Sequence, residues 1–286
     1  MRIIIILYLA ICSFRAYSQP SRTDLFLYNI GFNAGVSSLG ALINKNKKED
    51  FKTVLLKALG QGALGGYCIY QSKNSLIKLA KSNHRDYKQA WFSKLLHTTG
   101  TSITENAASN RNFWERWHIN LGFNRFTIEK KKKKLHFYYQ IMPVSLYSSI
   151  RSSFYGNLNF KKSIQYGVPY FIRPRDVRLS LDNPPAYASS NSISIMDREG
   201  EYAIAHELVH VYQFEEYALF NSCFDRLRDK YATKNKYIKF YTKWVYTDVN
   251  YFGLSYLYLE GGNSTYEKHR NNFYEQEANF FGDIAH

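Results

Sequence analysis

Ile3 to Cys12 is an unbroken apolar run of ten residues behind the positive start Met1-Arg2. Ser13 to Ser18 follows as a more polar tail with small residues at Ala16 and Ser18. This three-part pattern predicts an export signal, residues 1–18, cleaved after Ser18. The run is shorter than the roughly 20 residues a bilayer-spanning helix needs. Ile11, a large residue in front of Cys12, argues against a lipoprotein signal.

Residues 19–85 carry a different pattern. Two mostly apolar stretches, Leu25 to Ile43 and Phe51 to Tyr70, flank the charged turn NKNKKED. Ala58, Gly62 and Gly66 recur every four residues, which lines small side chains along one helical face and predicts two closely packed helices. Such a hairpin suits either a membrane or a tight soluble pair; Asp24, Lys52, Lys57 and Gln61 shorten its apolar length. Lys73, Lys78, Lys81 and Arg85 follow it, placed to meet anionic lipid.

Residues 86–286 read as one larger domain. Trp114, Trp117 and His118 cluster in a polar and aromatic stretch, where an aromatic core or interface is the reading and His118 is structural. Residues 126–180 read as β-rich: FTIEK, the lysine run Lys130–Lys134 as an exposed turn, LHFYYQIMPVSLYSSI, then SIQYGVPYFI. Asn191 to Met196 alternates as a strand. From Glu201 onward a helix shows an apolar stripe at Ile204, Leu208, Val211 and Tyr212.

Composition narrows the classes. Of 286 residues, 45% are apolar, enough to fill a core, and only 6 are Pro, which argues against a long disordered linker. The net charge of +15 favours anionic surfaces. No arginine-rich helix or RNA-binding signature accompanies it, so nucleic acid is not an expected partner. Without a CxxC pair a thiolate metal site is not expected; Cys68 and Cys223 are available to one another as a disulfide in an exported chain.

The chemistry lies in His206-Glu207-Leu208-Val209-His210. Residues four apart share one helical face, so both imidazoles reach one cation from a single rigid element. Glu207 stands beside them as the base that such a site needs; this is the HExxH pattern of zinc hydrolases. Catalytic zinc takes a third protein ligand. Position 216, six residues after His210, is Glu216, so the extended form with a third histidine is absent. Downstream, the sequence reads Tyr274-Glu275-Gln276-Glu277-Ala278-Asn279.

With that segment the chain resembles the gluzincin branch of zinc metallopeptidases, which pair HExxH with a later helix reading E-x-x-A-D or E-x-x-A-N. Glu275, Ala278 and Asn279 match, with Asn where Asp is common. The resemblance covers these two short motifs and leaves residues 20–180 untouched. It implies an α+β, zincin-like metallopeptidase domain with a β-rich middle region and an N-terminal helical hairpin. It implies Zn2+ held by His206, His210 and Glu275, with Glu277 as the competing third ligand. Ala278 would permit close packing and Asn279 would orient His206.

The implied activity is hydrolysis of a peptide or protein substrate outside the cytoplasm, in the periplasm, envelope or medium. Glu207 takes the proton of the attacking water, and residues Ser192–Met196 form an edge strand for an extended peptide. Tyr251, Tyr266, His269 and Tyr274 are candidate oxyanion donors. The competing reading is a non-catalytic envelope or membrane-associated protein with a structural or vestigial zinc site; a hydrolase acting on another bond is a third. An anionic membrane surface is a candidate partner in either case.

Overall fold

The computed structural model describes residues 20–83, 85–131, 134–174, 185–196, 201–249, 253 and 272–283. The expected export signal lies outside them, as do Lys132 and Lys133 at the tip of the lysine run.

Three long helices begin where the sequence supplies caps. Ser21 opens α1 (Arg22–Asn44): its hydroxyl accepts from the Asp24 N–H, and the Asp24 carboxylate accepts from the Ser21 N–H. Asp50 caps α2 (Phe51–Lys81) through the Thr53 N–H, and Asp86 caps α3 (Tyr87–Ala108) through the Gln89 N–H. The three helices lie against one another through small residues. A Cβ on Gly62 would stand 2.7 Å from the Ala34 Cα, and one on Gly66 would stand 2.5 Å from the Asn29 carbonyl oxygen. Gly65 meets Gly100 of α3 in the same way.

Among the described residues one helix, α1, is long and apolar enough to cross a membrane. Here it is wedged among α2, α3 and the later helices, and its buried asparagines bond inside the protein. Lys73, expected to face lipid, is fully buried and ion-paired to Glu216 and Glu277.

A three-stranded antiparallel sheet follows: β1 (Arg116–Leu121), β2 (Asn124–Lys131) and β3 (Lys134–Ile141). Its inner face meets α3. There His118 is buried against Thr101 and Ser102, and Arg125 pairs with Glu105 at 2.6 Å. The β-rich expectation fails after Met142. Pro143 sits in the first turn of α4 (Pro143–Tyr155), where its fixed φ favours a helix and its missing N–H costs nothing. Likewise SIQYGVPYFI divides into the end of α5 (Phe160–Tyr166) and β5 (Tyr170–Arg173), with Gly167 in the left-handed region between them.

The second sheet has the order β4 (Asn157–Leu158), β5, β7 (Ser192–Met196), β6 (Ala186–Ser189). The expected edge strand, β7, is therefore interior: it pairs parallel with β5 and antiparallel with β6, and all five of its residues are buried. The open edge beside the next helix is β6. A 3-10 turn (Glu201–Ala203) leads into α6 (Ile204–Glu216), followed by α7 (Leu219–Ser222), α8 (Asp225–Lys234), α9 (Lys236–Trp244) and α10 (Phe273–Gly282).

The fold is thus α+β. One apolar cluster joins Leu25 of α1, Tyr70, Leu76 and Leu79 of α2, Ile193 and Ile195 of β7, Leu208 and Val211 of α6, and Phe281 of α10. The division expected at residue 85 runs through this shared packing. Cys68 and Cys223 are both free, and the Cys223 thiol lies against Gly40 of α1.

Gly62→Ala forces the α1–α2 contact apart and should cost about 1–3 kcal/mol. Nothing lies within 4 Å of the Cβ position at Gly60, so Gly60→Ala should be neutral or stabilise by up to about 1 kcal/mol through helix propensity. Urea unfolding of the two variants checks this; equal stabilities would show that the close approach carries no energy.

Candidate metal centre

The apolar stripe of α6 faces the second sheet and α2, which turns His206, Glu207 and His210 into a buried layer. The His206 and His210 Nε2 atoms stand 3.0 Å apart, with ring planes at 86°. The Glu275 carboxylate closes the triangle from α10, with Oε2 3.4 Å from His206 Nε2 and Oε1 3.4 Å from His210 Nε2. Asn272 caps α10 through the Tyr274 N–H, which places Glu275 in its first turn. Close approach of the two helices depends on Gly282: a Cβ there would lie 2.8 Å from the His206 Cβ. Ala278 is fully buried in the same seam.

This donor set fits a zinc-type cation. Tetrahedral ligation at about 2.0–2.2 Å spaces donors about 3.3–3.6 Å apart, close to the separations present. Burial lowers the His210 pKa, but the Glu275 carboxylate outweighs it and lifts the value to about 9. Burial likewise raises Glu275, and His210 and His206 overcome that and hold it well below the usual carboxylate range.

Glu207 sits apart from the triangle. It is buried and faces β6, where the Ala188 N–H donates to its carboxylate. That N–H is free to do so because antiparallel pairing alternates. Pro185 bonds to Met196 across the hairpin, which leaves Ala186 and Ala188 turned to the open edge. Glu207 Oε2 has no partner. Burial raises the Glu207 pKa above the ordinary carboxylate value, offset in part by the two histidines.

Behind the triangle lies a chain of buried polar groups. His210 Nδ1 is 2.8 Å from the Gln213 Oε1. The Gln213 amide donates to the Glu277 carboxylate at 2.8 Å and to the Tyr274 carbonyl at 3.0 Å, so its oxygen is left as an acceptor. That fixes a proton on His210 Nδ1 and leaves Nε2, beside Glu275, as the ring nitrogen that would meet a cation. Glu277 receives Lys73 Nζ on both oxygens at 2.9 Å and Asn29 Nδ2 at 2.8 Å. The competing ligand candidate therefore points at Lys73 instead of the histidines.

Two sequence expectations fail here. Asn279 makes no bond to His206, whose Nδ1 has no partner; the residue of α10 lying on His206 is Gly282. The Tyr274 hydroxyl is taken by Tyr217. Tyr251, Tyr266 and His269 lie outside the described residues. Gln213 is a further residue of the site, and its one signal in the sequence is a polar side chain at i+3 from His210 on an apolar helix.

Comparison with protein families, curated proteins and solved structures finds no match to this chain.

Lys73→Met would leave Glu216 and Glu277 buried without their cation, at a cost of about 3–5 kcal/mol. Burial already raises Glu216, and Lys73 is what restrains it. Without Lys73 the folded-state Glu216 titrates further above its unfolded value. The variant should therefore be closest to wild type near pH 5 and fall behind as pH rises to 8. Denaturation at both pH values, with chelator present, checks this; a loss independent of pH would mean that packing, not charge, is at stake.

Proposed function

We propose that this chain is a zinc-dependent metallopeptidase with a zincin-like domain of gluzincin type, acting outside the cytoplasm. The observation that carries the reading is the convergence of His206, His210 and Glu275 within 4.8 Å of one another, with Glu207 buried beside them. The HExxH and E-x-x-A-N resemblance supports it independently of geometry. Export rests on the pattern of residues 1–18.

Zinc bound there would polarise the scissile carbonyl and acidify a water. The remaining work falls to the chain. Glu207, tethered by the Ala188 N–H, accepts the water's proton on its unpartnered Oε2 and returns it to the departing amine. Gln213 holds His210 in the tautomer that can ligate. The open edge of β6 lies along α6 and offers Ala186 to an extended peptide by strand addition. A structural zinc site has four protein ligands, and the described residues supply three, which favours catalysis over a purely structural metal.

The test is metal analysis and peptide-library hydrolysis on the mature protein. Wild type should hold one zinc and cleave peptides; Glu207→Gln should keep zinc and lose about 10²–10⁴-fold in rate. Equal rates in the two would end the mechanism, and a zinc-loaded wild type inert on every peptide would leave the non-catalytic reading.

A separate titration addresses the support of His210. Gln213→Ala should weaken zinc binding by about 10–100-fold, measured by competition with a chromophoric chelator. An unchanged affinity would remove Gln213 from the site.

A further inference from the structure

The helix pair α8–α9 stands out because its apolar side chains face away from the protein. No residue of α9 is buried. Tyr237, Phe240, Tyr241 and Trp244 recur at i, i+3, i+4 and i+7, one continuous face, and are between 42% and 73% exposed. The half-buried positions are Ile238 and Thr242, on the opposite side. Next to it, α8 and the residue before it present Phe224, Leu227 and Tyr231, each about half exposed.

This is not a loosely attached segment. Asp225 at the start of α8 is ion-paired to Arg116 at 3.0 Å and accepts from Ser109. The Arg226 N–H donates to Asn44 of α1. Gln140 of β3 donates to the Thr242 and Val245 carbonyls, and Ile141 bridges to Val245. The base is fixed while the aromatic face has no cover among the described residues.

Charge identifies the partner. From Phe224 to Trp244 the sequence holds seven Lys or Arg and two Asp, with no acid on α9. Lys236, Lys239 and Lys243 border the aromatic face, and two of them lie over its rings, Lys236 on Tyr237 and Lys243 on Trp244. An aromatic face edged by lysines matches the plane of an anionic bilayer: rings at headgroup depth, ammonium groups on phosphate. A second copy would bring like charge to like charge.

We propose that α8–α9 docks the protein on the surface of an anionic membrane, with the α9 aromatics inserted among the headgroups. The proposal does not depend on the metal reading.

Co-sedimentation with phosphatidylcholine vesicles, with and without phosphatidylglycerol, tests it on the mature full chain. Wild type should bind the anionic vesicles, and binding should fall as salt rises. Phe240→Ser with Trp244→Ser should lower partition at least about ten-fold. Lys236→Glu, Lys239→Glu and Lys243→Glu together should lower it on the order of a hundred-fold. Because these side chains are exposed, melting temperature should be unchanged in both variants. Three results overturn the proposal: no binding by wild type, equal binding by the variants, or binding to both vesicle types without salt dependence. A dimer in light scattering that the aromatic variant abolishes, without vesicle binding, would assign the face to a second copy instead.

Discussion

A single buried ammonium group ties the two halves of this protein together. Lys73 has no exposure and no solvent to stabilise its charge, so its position is dictated by Glu216 of α6 and Glu277 of α10. Those two helices carry the histidines and Glu275. The N-terminal hairpin is thus more than a neighbour of the site: it supplies the ammonium group that holds Glu277 where it accepts from Gln213. An ion pair this deep adds little net stability compared with an apolar replacement, but breaking it is costly, which makes it a device for fixing one arrangement.

From that fixed point the order of the site follows. Lys73 sets Glu277, Glu277 and the Tyr274 carbonyl set the Gln213 amide, and Gln213 sets the His210 tautomer. His206 is positioned differently: its backbone lies against Gly282, and its polar contacts to His210 and Glu275 run through Nε2. Only His210 is also held from behind, through Nδ1 and Gln213. A carboxylate two residues from Glu277 on the same helix, Glu275, is left to face both.

What was legible in the sequence is what depends on local periodicity. His206 and His210 share a face because they are four residues apart, and Gly62 and Gly66 predicted close helices by the same rule. Long-range partners were not legible: nothing near Lys73 in sequence announces Glu277, and the charged residue looked like a surface lysine. The choice between Glu275 and Glu277 could not be read either, since their directions depend on how α10 is rotated against α6. NSISIM alternates as a strand should, but alternation says nothing of neighbours, and it is the pairing with β5 and β6 that makes β7 interior and not an edge. VSLYSSI has strand-like composition; Pro143 ahead of it was the helix signal.

The distribution of charge connects the interior to the surface. Among the described residues eight carboxylates are buried, against four Lys or Arg. Asp225 and Glu129 are balanced by the half-buried Arg116 and Arg111, and a smaller surplus of negative charge remains. It is relieved where Glu275 meets two histidines, by the cation proposed there, and by the raised pKa of Glu216. The same partition makes the exterior more basic than the overall +15 implies, because a third of the 23 acidic residues are withdrawn from it. Such a division of charge opposes the approach of a second copy and favours an anionic surface, in keeping with the docking proposed for α8–α9. Long-range attraction alone fixes no orientation; that requires an apolar face within the basic field, and α9 places one there.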